Sequence, residues 1–168
     1  EYRKSAETLF SRVSRQWLYN IPKSLTTEGV RPLSTLALLD HYDDLYRKLE
    51  DELGRLIEAH NNAGDEEPLR VYVYSSLHGG TGSGMLVEIG NMIRIICRER
   101  GFTNYRSSCV ISCAMTTNSA ATNLPAAGAL CCLSELVYQM GGEEDLPPIH
   151  RQYQVSYPTL GRPFDWAT

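Results

Sequence analysis

The stretch Val71-Tyr72-Val73-Tyr74-Ser75-Ser76-Leu77-His78-Gly79-Gly80-Thr81-Gly82-Ser83-Gly84-Met85-Leu86-Val87-Glu88 decides how the rest of the chain is read. Its first part is short, β-branched and aromatic, which predicts a strand over Leu69 to Leu77. Its middle holds four glycines in the seven residues 78–84. Backbone N–H groups there can approach an anion without a Cβ in the way. The helix that follows opens near Ser83 and points its positive dipole end at the same place. Thr81 and Ser83 add hydroxyl donors, so the physical reading is a phosphate cradle. The body of that helix is expected over Met85 to Arg100, with Leu86, Ile89, Ile93 and Ile96 inward and Gly101 as its stop.

Spacing tests which phosphate loop this is. Gly79 and Gly84 have the gap of a Walker A loop, but Met85 and Leu86 occupy the Lys and Ser/Thr places. The dinucleotide fingerprint G-x-G-x-x-G fails as well, because Gly80 and Gly82 put Met85 at the third glycine. Both readings drop out.

Outward from the loop, the chain falls into three parts: 1–68 mainly helical, 69–142 strand–loop–helix units, and 143–168 an irregular tail. Leu9, Val13 and Trp17 share one face of a helix expected over Ser5 to Tyr19, which Asn20-Ile21-Pro22 ends. After a polar loop, Leu38, Tyr42, Leu45, Leu49, Leu53 and Leu56 predict one long amphipathic helix over Leu33 to His60. Residues 61–68 are a turn-rich break. Downstream, Cys109 to Met115 reads as a second buried strand, and Thr116 to Asn123 as a polar loop. A helix starting around Pro125 then carries Leu130, Leu133, Val137 and Met140 as its stripe. The tail holds four of the eight prolines, too many for another packed element. Alternating strands and helices predict an α/β fold with a parallel sheet, whose ligand sits at the carboxyl ends of the strands, where residues 78–84 fall.

Composition bounds the function. The 168 residues, 42% of them hydrophobic, suffice for one core and exclude a wholly disordered chain. Sixteen Lys and Arg against twenty Asp and Glu give a net charge of −4, which argues against a phosphate-reading nucleic-acid binder. No apolar run approaches the ~20 residues of a membrane span, and the opening Glu1-Tyr2-Arg3-Lys4 is followed by no apolar h-region, so no secretory leader is expected. The five cysteines, Cys97, Cys109, Cys113, Cys131 and Cys132, have neither disulfide-framework nor zinc-ligand spacing. They read as structural thiols of a reducing cytoplasm, expected to face the core, with no metal site.

Gly79-Gly80-Thr81-Gly82-Ser83-Gly84, with a strand before it and a helix after, resembles the signature loop of the tubulin/FtsZ superfamily. The surrounding residues look most like the bacterial tubulin-like proteins. The resemblance implies a Rossmann-like GTPase domain, present here as the central part of a partial domain. It implies that Gly79, Gly80, Thr81, Gly82, Ser83 and Gly84 bind the phosphates of GTP. It also implies GTP hydrolysis coupled to self-assembly into a homo-oligomer or filament, with Mg2+ as accompanying ion. Residues 26–32, opening a long helix, are similar by placement to the loop that senses the terminal phosphate. Gly29 would give close backbone approach and Arg31 a guanidinium for a phosphate oxygen, the alternative being a plain helix-entry turn. Thr117 and Asn118 resemble the ribose-side loop, and residues 162–166 the approach to a further strand.

His78 departs from the family, which has Gly, Ala or Ser there. Its imidazole either donates to the phosphates or points away, leaving only its backbone in the loop. Glu88 is open to a Mg2+ role through water or to plain helix packing. The family's first glycine-rich loop, its guanine-contacting helix and the acidic residue that completes hydrolysis are expected outside these residues. Asp43, Asp44, Glu50 and Asp51 have the spacing of a solvated helix face. The expected function is therefore GTP binding with hydrolysis on assembly. The alternatives are a nucleotide-holding scaffold or adaptor with little turnover, and an α/β interaction domain in which the glycines only shape a turn.

Overall fold

The computed structural model describes residues 23–24, 26–113, 123–141 and 162–167. The helix expected over 5–19, the residues Thr117 and Asn118, and nearly all of the tail lie outside them. The described elements are α1 (Arg31–Asp40), α2 (Tyr42–Ala63), β1 (Leu69–Ser76), α3 (Gly80–Glu99), β2 (Tyr105–Ser112), α4 (Asn123–Gly141) and β3 (Trp166–Ala167). The three strands form one parallel sheet in the order β1-β2-β3, with Leu69 opposite Tyr105 and Ser76 opposite Ser112. The expected α/β architecture with a parallel sheet is thus present.

Strand order and chain order run the same way, so right-handed crossovers bring α3 and α4 to the same face of the sheet. The packing agrees. Leu77, Leu86, Val87, Cys109, Cys132, Leu136 and Phe164 form one core cluster between α3, α4 and the sheet. Leu53, Ile57, Ile93, Ile96, Cys97 and Phe102 form a second between α2 and α3. The odd-numbered strand residues Val71, Val73 and Ile111 feed these clusters, whereas Tyr72 and Tyr74 on the opposite pleat are exposed.

Besides the start of α3, at Gly80 rather than near Ser83, four features differ from the sequence-based expectation. The single long helix is two, parted at His41, because its two halves bury residues against different parts of α3. Ser34 of α1 bonds to Gly80 at the start of α3, and Leu53 and Ile57 of α2 pack on Ile93 and Ile96 farther along it. Leu56, placed on the inner face by spacing, is 51% exposed. Second, α2 runs on to Ala63 and ends at Gly64, whose φ of 65° is the left-handed geometry of a terminating glycine. Third, β2 begins at Tyr105, four residues before Cys109, and pairs the polar Ser107 and Ser108 with Val71 and Tyr72. The fourth concerns α4. Its buried residues are Ala129, Cys132 and Leu136, while Leu130, Leu133 and Val137 point outward, the first and last at 67% exposure. This helix is apolar nearly all round, so two sets at helical spacing compete, and the set with smaller side chains lets it approach the sheet.

The α3 terminus follows expectation in detail. The Gly101 N–H donates to Arg98 O at 3.0 Å and the Phe102 N–H to Cys97 O at 2.8 Å, with Gly101 at φ 64°. This is a complete Schellman pair, and Phe102 is buried in the same cluster as Cys97.

Candidate functional site

The glycine stretch is mostly helix. Gly79 is the N-cap of α3, in extended geometry at φ −85° and ψ 131°, and Gly80 to Gly84 make the first turn. The first intrahelical bond runs from the Ser83 N–H to Gly79 O at 3.1 Å. The N–H groups of Gly80, Thr81 and Gly82 precede it and have no intrahelical acceptor. No acidic residue lies in this turn, so the turn's own side chains leave the positive end of the helix unneutralised.

The four glycines divide between two roles. A Cβ on Gly80 would lie 2.7 Å from Gly29 C and Val30 N, and one on Gly82 would lie 2.7 Å from Ser75 Oγ. On Gly84 it would overlap Ser34 Oγ. These three seat the helix against β1 and against the segment that enters α1. Gly79 alone has room, its nearest neighbour being Ser76 Cβ at 3.9 Å. Open approach to the backbone is therefore a property of Gly79, and close packing a property of the other three.

The segment facing the helix start is a tight turn from Thr27 to Val30. The Val30 N–H donates to Thr27 O at 2.7 Å, and Glu28 and Gly29 both have positive φ, 47° and 82°. Non-glycine residues rarely adopt that geometry. The turn brings the Thr27 hydroxyl 3.1 Å from that of Thr81, which is exposed at the mouth of the site. Ser34 Oγ, shared between Gly80 O at 2.8 Å and Arg31 O at 2.7 Å, ties α1 to α3.

The expected site residues therefore separate into two groups. Gly79, Gly80, Thr81, Gly82 and the turn holding Gly29 converge at the carboxyl end of β1. Ser83 is fully buried, and its hydroxyl donates to Gly79 O at 2.6 Å, which shapes the cap. Arg31 is turned to protein. Its Nε and Nη2 donate to Ser83 O at 3.1 and 2.9 Å, and Nη2 also pairs with Glu135 of α4. His78 is half-buried, and its Nδ1 is enclosed with no hydrogen-bond partner in the described structure. Because α3 starts at Gly80, Glu88 sits eight residues on, about 12 Å along the axis. There its charge acts on Tyr42 of α2.

Sequence reasoning missed Thr27, Ser34 and Glu135. A threonine and a serine bracketing a glycine turn give no signal until the turn is docked on the helix. The thiols are structural where they are buried. Burial pushes Cys97 and Cys109 up to about 11 and also raises Cys132, which keeps all three protonated and unreactive near neutrality. Contrary to the expectation that all five face the core, Cys113 and Cys131 are exposed. Among the described residues, no cluster of His, Cys, Asp or Glu is arranged to hold a metal ion, and no helix is long and apolar enough to cross a membrane.

A family model described as tubulin-like covers residues 5–166. No curated protein and no solved structure matches.

Proposed function

The chain belongs to the tubulin-like family, and from that premise we propose that the start of α3 holds the phosphates of a guanine nucleotide whose hydrolysis accompanies self-assembly. The observation that carries this reading is the pairing of an uncapped, acid-free helix start with open backbone at Gly79, at the carboxyl end of a parallel strand. The residues fit an anionic group. The N–H groups of Gly80, Thr81 and Gly82 donate, the Thr81 and Thr27 hydroxyls flank them, and Ser83 and Arg31 hold the turn in place. Mg2+, when bound with the nucleotide, would neutralise phosphate charge, and this chain's part is to fix the phosphates against that turn.

A second reading is a nucleotide-holding scaffold with little turnover. It is favoured by the cradle's own chemistry: amides and threonine hydroxyls bind an anion but supply no base to activate water. Calorimetry with GTP and ATP tests the shared premise. Tight binding of GTP over ATP, lost in Gly79→Val, supports the site. Unchanged affinity in that variant removes it. Phosphate release and electron microscopy of the protein with and without GTP then separate the two readings, since filaments with turnover support the first and binding without either supports the second.

A further inference from the structure

Away from the helix start, α2 and α3 enclose a surface groove of about 510 Å3 lined by Tyr42, Asp43, Tyr46, Arg47, Ile95 and Glu99. The rings of Tyr42 and Tyr46, one helical turn apart, stack at 5.9 Å between centroids and 18° between planes. The Tyr46 hydroxyl donates to Glu99 Oε2 at 2.7 Å, which fixes the carboxylate beside the rings and leaves its other oxygen for a second donor. The one cation in the lining, Arg47, is turned to Asp44 and to the Asp43 carbonyl. Among the described residues, the carboxylates of Asp43 and Glu99 have no cationic partner.

We propose that this groove is a docking site for an arginine side chain presented by a partner protein. The groove and a guanidinium are complementary in shape and charge. A planar guanidinium covers a tyrosine face while its N–H groups reach carboxylates at the edge, which a compact ammonium does less well. The outer face of the stacked pair is the flat surface, Ile95 adds apolar lining, and Asp43 and Glu99 are the acceptors. The helix that supplies the tyrosines has the matching sign: α2 carries six acidic residues (Asp43, Asp44, Glu50, Asp51, Glu52, Glu58) against three basic ones (Arg47, Lys48, Arg55), whereas α3 is balanced, Glu88 and Glu99 against Arg94 and Arg98. After burial, the charges of Glu88, Asp43 and Glu99 are what make Tyr42 harder to ionise, so negative potential converges on its ring. The groove is open and shallow, which suits one side chain of a larger partner, with electrostatics setting encounter and orientation.

The test titrates the full chain into fluorescein-labelled hexa-arginine and follows anisotropy, with hexalysine as comparison. Saturable hexa-arginine binding is expected. The Asp43→Asn/Glu99→Gln pair should weaken it about tenfold, and Tyr42→Leu about threefold. A control pair of equal charge on the same helix, Asp51→Asn/Glu58→Gln, should change it less than about twofold. Circular dichroism confirms that each variant is folded. Absence of saturable binding overturns the proposal. So does a control pair that weakens binding as much as the groove pair, or hexalysine binding equally well and indifferent to Tyr42→Leu.

Discussion

The Arg31 guanidinium grips the Ser83 carbonyl through two N–H groups, at 3.1 and 2.9 Å, and so joins the entry of α1 to the first turn of α3. Its side chain is only 16% exposed, and the same Nη2 pairs with Glu135 on α4. Three helices thus meet on one planar group. Charge-assisted bonds of this kind contribute about 1.5–3 kcal/mol. Arg31→Ala is expected to lower unfolding stability by about 2 kcal/mol in urea titration. Arg31→Lys should recover less than half of that, because an ammonium cannot reproduce the fork. Full recovery by lysine would show that charge alone matters.

The four glycines make opposite predictions. Gly79 has extended φ and ψ and open space at its Cβ, so Gly79→Val should leave the melting temperature unchanged and lower GTP affinity at least about tenfold. Gly84→Ala overlaps Ser34 Oγ and should cost about 2 kcal/mol of stability. Thermal melts with calorimetry on both variants check the division between ligand approach and packing.

This division also marks how much was legible in the sequence. The strand before the loop, the helix after it, the glycine stop at Gly101 and the parallel sheet were all readable from residue type and period. The start of α3 was not, because a run of glycines has poor intrinsic helix propensity. Contacts with Ser34, Ser75 and Gly29, far away in sequence, make it helical. Arg31 was readable as a cation near the loop, but not its direction, since Ser83 and Glu135 are 52 and 104 residues distant. Three of the four stripe positions of α4 were misplaced by one, Met140 packing on the core as expected, because periodicity cannot rank two apolar faces of one helix.

Alkaline pH should destabilise the fold through its buried thiols. The ordinary thiol value is 9.0, and burial holds Cys97 and Cys109 at about 11 in the folded chain. The unfolded chain therefore loses these protons first as pH rises. The stabilisation is complete below pH 9 and is lost as pH climbs through 11. Each thiol adds a slope of about 1.4 kcal/mol per pH unit in that window. Raised values at Tyr46, from burial and the bond to Glu99, act in the same direction. Denaturant titrations at stepped pH should show the decline, and Cys97→Ala should make it shallower. An identical slope in that variant would exclude Cys97 as a source.

Asp165 gives a prediction about the far edge of the sheet. Its Oδ2 accepts the Ser107 N–H at 2.7 Å, its Oδ1 accepts Arg94 Nη2 at 3.0 Å, and its own N–H donates to Ser107 O at 2.8 Å. Next to it, Phe164 is fully buried against Gly90 of α3, where a Cβ would come within 2.7 Å of the ring. One carboxylate therefore links β2, α3 and the approach to β3. Asp165→Asn keeps an acceptor for Ser107 but turns an amide NH2 toward Arg94, donor against donor, and removes the charge pair. The expected loss is about 2 kcal/mol. Arg94→Met combined with Asp165→Asn should cost less than the sum of the single changes, because the second removes a partner already lost. Additive losses would mean that Arg94 and Asp165 stabilise the edge independently. Hydrogen exchange at the Ser107 amide gives the local readout, and exchange there should quicken in Asp165→Asn before the Val71 and Val73 amides of β1 respond.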